Sequence, residues 1–174
     1  DFHNMFPIRD HNPSDRLPLV TITLILVTSF VFFLQLAVFN FEAFIIQYAL
    51  IPDHVVFSDF PTLLPFLSSM FLHGGWLHII SNMWFLWIFG DNVEDRLGHL
   101  RYLVFYLASG TLACLTQLVL YPQSPVPIVG ASGAIAGVLG AYFLLYPYAR
   151  VVTLVPVFFF LTLMEIPAFI FLFF

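Results

Sequence analysis

Lysine is absent from this chain, and charged residues of all kinds fill only 9% of its 174 positions. A soluble domain carries about 25%, so this chain would not stay in water without lipid around it. The few charges, five arginines against ten acids, leave a net charge of −5. That balance, with no basic cluster, excludes a nucleic-acid partner. A single cysteine, Cys114, excludes an internal disulfide and reads as a small core residue. The first apolar run lacks a small-residue cleavage site, so it is expected to stay as a membrane span and not to be removed as a leader.

What is present is apolar surface. Hydrophobic residues make up 61% of the chain and the mean hydropathy is +0.98. The class expected is an all-α polytopic membrane protein of one domain. Residues 1–16 are polar, with Pro7 and Pro13, and read as a cytoplasmic tail. Leu17 to Phe39 is an apolar run long enough to cross about 30 Å of hydrocarbon as a helix. Residues 40–75 are apolar but broken by Glu42, Pro52, Asp53, Asp59, Pro61 and Pro65. That pattern predicts an ordered membrane-interface loop built of short helices. Trp76 to Phe89, Tyr102 to Tyr121, Ser132 to Tyr146 and Val151 to Phe174 complete five expected spans. The fourth is about 22 Å long, shorter than the membrane core.

The arginines orient these spans. Arg9, Arg16, Arg96, Arg101 and Arg150 all fall on one side if the amino terminus is cytoplasmic, as the positive-inside rule requires. The starts of the second and fourth spans then share the outer side. His78 and Asn82, four apart on one helix face, lie at the first of these starts. Ser132, between glycines in Gly130-Ala-Ser-Gly133, opens the other. A helix amino terminus offers unpaired N–H groups suited to an oxyanion, and His78 and Asn82 can add side-chain donors. Ser132 taken alone also suits a helix cap. Asn82 also suits helix–helix hydrogen bonding. The pairing of the three on one side favours chemistry. Around them, Gly133, Gly137 and Ala141 form a small-residue ridge for close helix packing.

Gly130-Ala-Ser-Gly133, His73-x4-His78-x3-Asn82 and Glu94-Asp-Arg96-Leu-Gly98 together resemble the rhomboid intramembrane serine proteases, in the same order and from about Asp10 onward. The resemblance implies a six-helix core that cleaves other transmembrane proteins near the outer leaflet of the cell membrane. It implies Ser132 as nucleophile and an oxyanion hole made by His78, Asn82 and the Ser132 N–H, with Gly130, Gly133 and His73 in support. No metal or organic cofactor is implied. The family's base is a histidine on the sixth helix. Here the histidines are 3, 11, 54, 73, 78 and 99, all before Ser132, so a further segment with a sixth helix is expected after residue 174. The alternative is a rhomboid-like pseudoprotease that binds client transmembrane helices without cutting. A metal-dependent peptidase would need His-Glu-x-x-His, and an aspartyl enzyme two aspartates within the spans; the sequence has neither. Of the other polar residues, His73 is expected to bond loop backbone. Glu94 and Arg96 are expected to tie the inner loop to helix ends, and His54 and His99 to be solvated. Glu165 falls mid-span.

Overall fold

The computed structural model describes residues 6–157 and 160–173, so the first five residues of the expected tail lie outside it. The fold is mostly helical: α1 (Leu19–Ala37), α2 (Phe41–Tyr48), α3 (Pro65–Ser68), α4 (Trp76–Leu97), α5 (His99–Leu120), α6 (Ser132–Leu145) and α7 (Ala168–Phe173). Of these, α1 and α5 are long and apolar enough to cross a membrane. The bent pair Phe60–Phe71 and Trp76–Leu97, which turns by 79°, makes a third candidate. Leu26, Phe30 and Phe33 project outward from α1, the apolar surface a lipid-facing helix needs.

The core lies where α4, α5 and α6 meet. Phe89, Tyr102, Tyr106, Val138 and Tyr142 are fully buried there. Gly133 makes the α5–α6 approach possible. A Cβ on it would lie 2.5 Å from the Ala113 Cβ, far inside van der Waals contact. The sequence 40–75 folds as α2, α3 and three short 3₁₀ turns. Asn40 accepts from the Ala43 N–H to start α2, and prolines open the later turns at the first helical positions.

Several expectations need correction. The polar stretch after Gly90 is not a loop, because α4 continues to Leu97. Its last turns are held by long-range partners. Ser14 donates to Asp91, and Arg16 pairs with Asp95. Glu94, 1% exposed, accepts from the Val20 and Thr21 N–H groups at 2.8 Å each and from the Thr21 hydroxyl at 2.7 Å. It thereby caps α1, whose own flanking residue, Pro18, supplies no side-chain cap. His99 is not solvated free: its Nδ1 lies 2.6 Å from the same carboxylate.

The fold is also not all-α. Of residues 151–174, expected as a fifth span, the described ones instead form two antiparallel strands and α7. The strands β2 (Arg150–Val157) and β3 (Phe160–Pro167) pair from Arg150↔Pro167 to Val157↔Phe160. A third strand, β1 (Phe6–Asp10), lies antiparallel on the far side of β2, from Phe6↔Leu154 to Asp10↔Val151. The reason is local. Val151, Val152, Thr153, Val155 and Val157 are β-branched and favour extended backbone. Pro156 and Pro167 would each cost a helix about 3 kcal/mol. Pro156 lies beyond the β1 pairing and stands opposite Leu161 of β3.

Glu165 is therefore not mid-span. It sits on β3, bonded to Arg150 at 3.0 Å and His11 at 3.3 Å, and the Arg150 hydrogen bond holds its carboxyl below the usual range. Asp10 ties β1 to α6 by accepting from the Tyr142 hydroxyl at 2.5 Å.

Candidate active site

Ser132 is the first residue of α6 and is exposed. No side chain caps that helix, and Ile135 is the first residue whose N–H bonds back, to the Ala131 carbonyl at 3.0 Å. The amides of the preceding residues, Ser132 included, therefore have no partner within the helix. The loop leading into Ser132 is fixed from outside. Leu50 and Ile128 exchange both backbone hydrogen bonds, and the Gly130 N–H donates to the Ser69 carbonyl at 2.9 Å. The 40–75 segment thus forms one wall of the serine loop.

His78 and Asn82 stand one turn apart at the start of α4. Asn82 is buried and shares a cavity of about 230 Å³ with Ser132, Phe85 and Ala136. One amide hydrogen of Asn82 goes to the His78 carbonyl at 2.9 Å, which leaves its second donor. The His78 ring packs on Gly130. A Cβ added to Gly130 would lie 2.6 Å from Nε2 and 2.7 Å from Cε1. Gly130 also has φ +115°, a conformation that side chains disfavour. Both the backbone and the neighbouring ring therefore demand glycine there.

The tautomer of a neutral His78 ring follows from its other nitrogen. Nδ1 accepts the Gly74 N–H at 3.4 Å. A neutral imidazole that accepts at Nδ1 carries its hydrogen on Nε2. The donor edge of His78 therefore faces Gly130, two residues before Ser132.

His73, expected to bond loop backbone, is fully buried, and its main chain is what bonds. Its N–H donates to Gln35 Oε1 and its carbonyl accepts from Gln35 Nε2, each at 3.1 Å. Its ring stands edge-on to His78 with centroids 4.9 Å apart. Gln35 is the residue that sequence reasoning missed. The available signal was a polar side chain inside an apolar run, where polar groups are costly and functional. A second cavity of about 250 Å³ opens on the other side of Ser132, between Gly130, Cys114 and Gln117. Among the described residues, no three His, Cys, Asp or Glu side chains are grouped to hold a metal ion.

Comparison with known proteins adds relationship to this geometry. Residues 61–174 match the rhomboid domain family model. Over 82 residues, 47% of this chain and 29% of the relative, it is 38% identical to rhomboid-like protein 11, chloroplastic, of Arabidopsis thaliana. It is 44% identical to rhomboid protease GluP of Bacillus subtilis (strain 168) over 75 residues, 43% of this chain and 14% of that protein. It is 33% identical to presenilin-associated rhomboid-like protein A, mitochondrial, of Danio rerio over 97 residues, 54% of this chain and 25% of that one. The matched stretch thus spans less than a third of each of these relatives. With a family match over well more than half of its length, this chain belongs to the rhomboid family.

Proposed function

We propose that the chain carries the serine and oxyanion elements of an intramembrane serine endopeptidase, which cleaves transmembrane client proteins within or near the outer leaflet of the cell membrane. The observation that supports it most is the convergence at the start of α6. Ser132 shares a cavity with Asn82, while the donor edge of His78 faces Gly130. In the reaction, Ser132 Oγ attacks a peptide carbonyl in an unwound stretch of the client. The Oγ–C bond forms and the carbonyl oxygen takes the negative charge, held by the Ser132 N–H, His78 and Asn82. A base outside the described residues accepts the hydroxyl proton and returns it to the leaving amine as the C–N bond breaks. Water then hydrolyses the ester and restores Ser132. The amino-terminal side is cytoplasmic in this reading, so the site opens outward.

The test is labelling of the purified protein by a fluorophosphonate, with cleavage of a co-expressed transmembrane substrate. Ser132→Ala is expected to abolish labelling and to lower cleavage by at least about 10⁴-fold. Cleavage unchanged by that substitution would sink the reading. The second reading is a non-cutting binder of client helices. An unlabelled Ser132 in a protein that still retains client helices would establish it.

A further inference from the structure

We infer that Gln35 is a positioning residue for the oxyanion site: through the His73 main chain it sets the turn that holds His78 with its donor edge toward Gly130. This rests on the protease reading for its catalytic consequence but not for its geometry.

The chain of contacts begins in the last turn of α1, two residues before its end at Ala37. The Gln35 side chain is fully buried, and its amide makes a two-point clamp on the His73 peptide, donating to the carbonyl and accepting from the N–H. That pairing reproduces what a neighbouring strand would give the backbone. It is needed because residues 72–75 lie between two helices, at a 79° bend, with no ladder of their own. The clamp fixes the His73–Gly74 peptide. Gly74 then presents its N–H to His78 Nδ1. The His73 ring, buried and edge-on, closes the other side of the imidazole.

Each link has a chemical role. Without the Gly74 donor, Nδ1 and Nε2 compete for the single hydrogen of the neutral ring. In the Nδ1–H form His78 would turn a lone pair toward Gly130, and a lone pair repels an oxyanion. Gln35 therefore acts two steps away by deciding which nitrogen carries the hydrogen. A glutamine that served only to satisfy helix packing would have no reason to bond both atoms of one distant peptide.

Two measurements test this on the full chain in detergent micelles. The first is ring-nitrogen NMR of histidine-labelled wild-type protein, which reads the tautomer directly. The expected result is His78 as Nε2–H, with Nδ1 as acceptor. An Nδ1–H ring, or rapid averaging between the two, would overturn the proposal even if Gln35 variants failed to fold. The second is Gln35→Leu. Its His78 signals are expected to move to a tautomer mixture, and its kcat to fall by between about tenfold and a hundredfold with KM held within twofold. Fluorophosphonate labelling of Ser132 should slow in parallel. A folded Gln35→Leu protein with wild-type His78 signals and kcat would refute the role. If wild-type Ser132 is neither labelled nor active, the protease reading fails, while the tautomer measurement still decides the positioning role.

Discussion

Gly130→Ala is the smallest change that reaches the candidate site, because one methyl group is all it adds. Its effect has two parts. The first is backbone strain: at φ +115° a side chain is disfavoured, by about 1–3 kcal/mol. The second is displacement. The new methyl would sit 2.6 Å from His78 Nε2 and 2.7 Å from Cε1, so the ring must retreat by about 1 Å to regain ordinary contact. The Gly130 backbone itself has little room to yield, since its N–H is bonded to the Ser69 carbonyl. A donor moved by that distance no longer meets an oxyanion at hydrogen-bond length. Loss of one such donor costs about 10²–10³ in rate, or 3–4 kcal/mol of transition-state stabilisation. The assay is the fluorophosphonate labelling rate of Ser132 beside the unfolding midpoint in denaturant. We expect labelling to slow about a hundredfold or more, with stability reduced by only the strain. A labelling rate within twofold of wild type would refute both the placement of the His78 ring and its role as donor.

Two further outcomes follow from the same contacts. Glu94→Gln removes the charge from a buried carboxylate that accepts three hydrogen bonds from the start of α1. It should lower unfolding stability by about 2–4 kcal/mol, within the range for charge-assisted bonds and helix caps; a loss below 1 kcal/mol would mean that α1 is capped otherwise. Asp10 has its carboxyl pushed up to about 6, chiefly by burial. The folded protein thus favours the protonated form, so its stabilising contribution is full below the unfolded value near 3.8 and is lost as pH rises through 6. Unfolding midpoints measured from pH 4 to pH 7 should fall across that window, and Asp10→Asn should flatten the curve.

Much of this was legible in the sequence because hydrophobic run length is a direct reading of bilayer thickness. The ends of α1, α5 and α6 fall within a few residues of the apolar runs that announce them. The His78 and Asn82 spacing put both residues on one helix face before any coordinates were needed. What was not legible depends on partners distant in the chain. Hydropathy marks Asp91, Glu94 and Asp95 as a loop, because it cannot know that Ser14, the α1 amides and Arg16 will satisfy them inside a helix. Residues 151–174 are as apolar as a span, and length outweighed the β-branched residues and Pro156 that signalled strand. Gln35 was visible as a letter but not as a clamp, since its partner lies 38 residues away.

The Glu94 cap also puts a clock on biosynthesis. The first-turn amides of α1 find their carboxylate 74 residues later in the chain. At about 5–20 residues per second, a ribosome needs roughly 4–15 s to deliver it. For that interval the first-turn amides of α1 are served by water or lipid headgroups alone. The helix can form early, but its start is locked only when α4 is complete. Withholding residues beyond Phe89 would therefore leave α1 present and its start frayed, an ordering that stalled-chain experiments can time.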